Sequence, residues 1–139
     1  MTRIVLISAL SLVFVSFVYS QDDWDIPEKD KENLSIYMFD EDFALEGEGV
    51  YENSCMSCHG NPGKADFSIM VPSPGDIAGQ DFQNQTDGEL FYKIKTGKGS
   101  MPAFEDAFSQ EEIWNLVAYI RSFNPKYEQE IPNLEGLKV

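Results

Sequence analysis

Between residues 41 and 54 apolar and small side chains recur every three or four positions. Phe43, Gly47, Val50, Tyr51 and Ser54 fall on one face, with Glu46, Glu48 and Glu52 among the residues between them. This period predicts a helix from about Glu41 to Ser54. Asp40 or Asp42 is placed to cap it, and the acids of its first turn suit the helix dipole. Gly47 inside such a helix costs about 1 kcal/mol relative to alanine, which close contact with another helix would offset. A second helix is predicted over Asp87–Thr96. Thr86 and Glu89 have capping-box spacing, Leu90, Phe91 and Ile94 form the apolar stripe, and Gly97 suits a left-handed cap. A third runs from Gln110 to about Phe123, with Ser109 and Glu112 as a second capping box. Ile113, Leu116, Val117 and Ile120 line one of its faces, Trp114 and Tyr119 lie beside them, and Asn124-Pro125 stops it. Strand signals are weak throughout. Gly60, Pro62, Gly63, Pro72, Pro74, Gly75 and Gly79 mark an ordered loop region between the first two helices. The expectation is an all-α domain of about three main helices.

The ends of the chain follow other patterns. Residues 1–20 have a short polar, positive start at Thr2-Arg3, an apolar run Ile4–Val18, and small-to-medium residues before Gln21. This is the layout of a cleavable secretory signal peptide. The alternative is an uncleaved N-terminal membrane anchor, but the run falls short of the roughly 20 residues a spanning helix needs. Residues 21–40 lack periodicity and read as an acidic, partly extended arm whose simplest role is solubility. Trp24, Pro27 and Tyr37 are candidates to pin it to the domain. Residues 41–123 hold the three helices, and residues 124–139 form a C-terminal tail.

Charge narrows the function. The chain has 24 Asp plus Glu against 10 Lys plus Arg, a formal net charge of -14. Twelve of the acids lie within residues 21–52. Such a surface repels nucleic-acid phosphates and anionic lipid. Lys93, Lys95 and Lys98 gather before a Gly-rich loop, where they offset the dipole of the second helix or form a small positive spot.

The candidate chemistry sits in five positions. Cys55-Met56-Ser57-Cys58-His59 contains both cysteines and the only histidine. A disulfide across two intervening residues closes too small a loop to stabilise much. A thiol–disulfide oxidoreductase would place this spacing at the start of a helix after a strand; here it follows a helix and precedes a loop. A closed zinc site needs four ligands, and no second Cys or His pair exists. Covalent haem attachment accounts for all three residues and their order: Cys55 and Cys58 form thioethers to the vinyl groups of one haem c, and His59 reaches the iron. With His59 used, a second imidazole is excluded, so the sixth ligand is methionine, another weak ligand or nothing. Among Met38, Met56, Met70 and Met101, the last is preferred, because it sits on the Gly97-to-Phe104 loop with Pro102 behind it, a poor place for core filler. Met70 is next.

With these residues in hand, the chain resembles the class I c-type cytochromes over about residues 41–123, and is most similar to the bacterial branch that includes the small haem c domains of cbb3-type oxidases. Gly47 and Tyr51 match the family's helix-contact glycine and aromatic, Cys55, Cys58, His59 and Gly60 its haem motif, Thr96-Gly97 through Met101-Pro102 its distal loop, and Leu116 and Tyr119 the final-helix positions that cross Gly47. The resemblance implies the small class I fold wrapped around one covalently attached haem c. It implies His59 and Met101 as axial ligands and Pro72 or Pro74 as the residue whose carbonyl supports His59. It also implies a one-electron carrier rather than an enzyme, working in the periplasm with redox partners: a dehydrogenase or reductase as donor, an oxidase or reductase as acceptor. Nucleic acid is not among the expected partners, and the membrane enters only if the N-terminal segment stays attached. Two other readings remain: a haem subunit dedicated to one dehydrogenase or oxidase complex, and a haem protein with an open sixth site acting as enzyme or gas sensor.

Overall fold

The computed structural model describes residues 24–66 and 68–132; the candidate signal segment 1–20, the start of the arm and the end of the tail lie outside them. Six helices follow in order: α1 (Glu28–Lys31), α2 (Glu41–Ser54), α3 (Met56–His59), α4 (Gln80–Gln83), α5 (Asp87–Thr96) and α6 (Gln110–Ser122). Among the described residues there is no strand, and an isolated bridge pairs Lys98 with Met101. The fold is all-α. None of these helices is long and apolar enough to cross a membrane.

The local signals act as their chemistry dictates. Asp40 Oδ1 accepts from the Phe43 N–H at 2.9 Å, opening α2. Thr86 and Ser109 each accept from the backbone of the glutamate three residues on, and each glutamate accepts from the cap's own N–H. Every residue from Ile113 to Arg121 is buried. The pattern predicted one buried face, but α6 is the central helix, with α2, α4 and α5 all against it. Phe91 of α5 stacks on Trp114 with centroids 4.3 Å apart, and Tyr51 of α2 meets Tyr119 at 5.3 Å.

The α2–α6 crossing depends on Gly47. A Cβ built there would lie 1.9 Å from the Asn115 carbonyl oxygen and 2.4 Å from its carbon, whereas one at Gly49 meets nothing within 4 Å. Both helices must therefore move to admit any side chain at 47. Gly47→Ala should lower the unfolding free energy by about 2–3 kcal/mol, the upper part of the overpacking range and well beyond the propensity gain. Gly49→Ala should raise it by up to about 1 kcal/mol. Chemical denaturation of the two variants beside the parent checks the contrast; equal midpoints would remove the helix contact as the reason for Gly47.

Residues 24–39 are packed on the domain rather than extended away from it. Ile26 and Ser35 are buried. The Lys31 carbonyl accepts from Thr86 Oγ1 at 2.7 Å, and Gly88 brings α5 so close that a Cβ would lie 2.2 Å from the Asp30 oxygen. Gln129 of the tail donates to the Tyr37 carbonyl at 2.7 Å and accepts from the Phe39 N–H at 2.9 Å. α1 was hidden in the sequence because four residues are too few to show a 3.6-residue period.

Candidate functional site

Cys55 ends α2 and opens α3. Its carbonyl accepts from both the Cys58 and His59 N–H groups at 3.0 Å, so the motif is one helical turn. Cys55 and Cys58, three apart, share a face, and His59 follows at i+4. No disulfide joins the two cysteines. Burial, then the neighbouring Cys58, pushes the Cys55 thiol up to about 11, which disfavours the thiolate that exchange chemistry uses.

His59 Nδ1 lies 3.2 Å from the Gly75 carbonyl oxygen. A carbonyl can only accept, so Nδ1 carries the proton and Nε2 keeps its lone pair. Burial lowers the imidazole's proton affinity despite that bond, which favours the neutral, ligating form. The supporting carbonyl therefore belongs to Gly75 and not to Pro72 or Pro74. Pro74 instead lines the cleft that His59 enters. Backbone acceptors carry no residue signature, which is why neither proline could be singled out in advance. Phe82 meets the His59 ring edge-on, with centroids 6.0 Å apart.

The loop behind this arrangement is fixed by one carboxylate. Asp76 accepts from the N–H groups of Gly63 (2.9 Å), Ala65 (3.3 Å) and Ala78 (2.9 Å). Ser68 ties the same loop to the motif, donating from its N–H to Cys58 O at 2.9 Å and from its hydroxyl to Ser57 O at 2.7 Å. Tyr51 adds a third tie, its buried hydroxyl donating to Gly60 O at 2.8 Å.

Met101 approaches from the α5–α6 connection. The N–H of Lys98 donates to Met101 O at 2.9 Å and that of Met101 to Lys98 O at 3.0 Å, closing a tight turn. Phe104 and Glu105 both donate to Lys95 O at 3.1 Å, seating the turn on the end of α5. Gly97 makes the entry possible: its φ is +59°, and a Cβ would lie 2.4 Å from the Pro102 backbone. Its ψ of 169° departs from the left-handed helical cap expected there. Met38 is 60 % exposed, Met56 packs against the core, and Met70 does not line the cleft.

The cleft brings together Cys55, His59 and Met101, with Cys58 on the adjoining turn. Its walls are Tyr51, Ile77, Phe82, Leu90, Ile94, Phe104, Leu116 and Ile120. Polar groups are few: Gln85, Lys93 and the indole of Trp24. Gln85 Oε1 is buried with no hydrogen-bond partner among the described residues. An apolar slot lined by one cysteine, with the second a helical turn away, together with an imidazole and a thioether, fits a covalently bound haem and its iron. Two contributors escaped sequence reasoning: Phe82 lay in a four-residue helix, and Asp76 acts through backbone N–H groups. Trp24, a candidate to pin the arm to the domain, does so at the cleft itself.

Comparison with known proteins gives the same answer. The family described as "Cytochrome C oxidase, cbb3-type, subunit III" matches residues 42–120. Cytochrome c6 of Euglena viridis is 32% identical over 82 residues, covering 55% of this chain and 87% of that protein. Cytochrome c6 of a Synechococcus strain is 30% identical over 87 residues, covering 63% of this chain and 75% of that protein. Cytochrome c6 of Chlorolobion braunii is 28% identical over 82 residues, covering 57% and 88% respectively. The matched segment holds the haem motif, nearly all of the three long helices and every residue that lines the cleft except Trp24. The chain belongs to the class I c-type cytochromes, the family of the cbb3-type subunit III haem domain and of cytochrome c6, and is an electron carrier with one covalently attached haem c.

Proposed function

We propose that this chain is an exported carrier whose iron is held by His59 Nε2 and Met101 Sδ, with thioethers at Cys55 and Cys58, and which passes electrons from a dehydrogenase or reductase to an oxidase or reductase. The observation that carries the ligand assignment is that the only histidine and one of the methionines line the same apolar cleft. Bound haem supplies reversible one-electron exchange at iron. The residues do the rest. Gly75 O fixes the tautomer that leaves Nε2 available. The Lys98–Met101 turn holds Met101 at the cleft wall, where its thioether would ligate the iron. The apolar walls exclude water, and thioether ligation favours the ferrous state relative to a second imidazole. Export is supported by the signal-like residues 1–20 and by the formation of haem c outside the cytoplasm.

Met101→Ala tests the ligand set. Haem attachment should survive, since Cys55 and Cys58 are untouched. The sulfur-to-iron charge-transfer band in the near infrared should vanish, the reduced protein should bind carbon monoxide, and the potential should fall by on the order of 0.1–0.3 V, within the roughly 0.8 V that axial ligands span. Met70→Ala should do none of these; if the two variants exchange behaviour, Met70 is the ligand.

A further inference from the structure

We propose that Trp24 and the arm that carries it form a clasp over the Met101 side of the cleft, holding the Met101 turn against α5 and keeping water and small ligands from the iron's sixth position. The inference deepens the His59–Met101 reading and rests on it. Trp24 lines the cleft together with Lys93, Ile94, Met101 and Phe104. Two ammonium groups approach its ring: Lys93 Nζ at 5.5 Å and Lys98 Nζ at 5.6 Å from the centroid. Lys93 belongs to α5, whereas Lys98 lies beyond its end and is paired through both backbone groups with Met101. One indole thus couples the helix to the turn that carries the thioether. The helix dipole accounts for a cation at 93 or 95, but not for Lys98 over the same ring.

The arm behind Trp24 is built to stay in place. Ile26, two residues on, is 7% exposed. Thr86 and Gly88 of the α5 N-terminus receive Lys31 and Asp30 at distances that leave no room for a larger residue at 88. An arm serving solubility alone needs neither the buried anchor nor the aromatic at the cleft mouth. Trp24 is accordingly a positioning residue: it acts on the iron through Met101 and through water exclusion.

The test uses the full-length holoprotein and imidazole as the probe of the sixth position. Loss of two partly exposed cation–π contacts should free the turn about tenfold more often, a factor equivalent to 1.4 kcal/mol. Trp24→Ala should therefore raise the equilibrium affinity of the ferric protein for imidazole roughly tenfold and lower the midpoint potential, because water admitted to the cleft favours the ferric charge. Trp24→Phe should restore most of the parent's behaviour. Gly88→Ala, which lifts the arm without touching the cleft, should reproduce the Trp24→Ala effect. If the parent shows the sulfur-to-iron band and Trp24→Ala leaves imidazole affinity and potential unchanged, the clasp is refuted while the Met101 ligation stands. A parent without that band overturns the ligation and the clasp with it.

Discussion

Replacing Cys55 and Cys58 together by serine should leave a chain without colour in a denaturing gel and without most of its helical signal. The first loss follows from the chemistry: no thioether can form. The second follows from packing. Ile77, Leu90, Ile94, Leu116 and Ile120 belong both to the buried core and to the wall of the cleft, so the group held there is the centre on which the helices meet. In a variant that cannot retain it, the cleft of about 150 Å³ stays open to water. Each apolar wall side chain then left in water forgoes roughly 1.5–3 kcal/mol of burial, against a total stability of about 5–15 kcal/mol for a small domain. Loss of the covalent tether adds to this, because a non-covalently bound haem stabilises only as far as its free concentration exceeds its dissociation constant. Far-ultraviolet circular dichroism through a urea titration is the measurement. A cooperative transition with the parent's helix content would mean that the helices pack without the haem, and that the core has been misassigned.

The sequence exposed what is periodic or contiguous. The bounds of α2 and α5 and both capping boxes could be read directly, because 10 to 14 residues are enough to show a 3.6-residue repeat. α6 ends at Ser122, with Phe123 as its cap. The haem motif was equally open, since its three groups lie within five positions. What stayed hidden depends on backbone atoms or on long separations. The Gly75 carbonyl that orients His59 comes from 16 residues away. Trp24 reaches the cleft only because α1, too short to announce itself, docks on α5. Arg121 had no role in the apolar pattern of the third helix, yet it is buried beside Asp87 across 34 residues. A signal was present: a lone cation in the last turn of a helix that is otherwise apolar on that side, with an acid at the first position of the preceding one.

Arg121→Met should cost about 3–5 kcal/mol in unfolding free energy, more than removing any single apolar contact at the domain's rim. The Arg121 side chain is 4% exposed and that of Asp87 7%. Its Nε donates to Asp87 Oδ1 at 2.7 Å. Its Nη atoms donate to the carbonyls of Phe82 (3.4 Å), Gln83 (3.3 Å) and Gln85 (2.5 Å), and its guanidinium carbon lies 5.0 Å from the centroid of the Tyr127 ring. The Tyr127 hydroxyl in turn donates to Asp87 Oδ2. Burial, reinforced by the Asp87 carboxylate, pushes that hydroxyl well above the ordinary tyrosine range, so it remains a donor through neutral pH. Removing the guanidinium leaves a buried carboxylate with one partner and takes a donor from three carbonyls, of which that of Phe82 still accepts from the Gln85 N–H. The segment they belong to carries Phe82, which abuts His59, and Gln85, which lines the cleft. The expected signature is therefore double: a lower denaturation midpoint and a broadened environment at His59. Asp87→Asn alone should also destabilise, by roughly 1–3 kcal/mol, since the cation then stays buried without its counter-charge. The double variant should cost clearly less than the two single costs added, because two partners removed together leave no orphan charge. Strict additivity in that cycle would show that Arg121 and Asp87 act independently, and that the carbonyls alone hold the guanidinium in place.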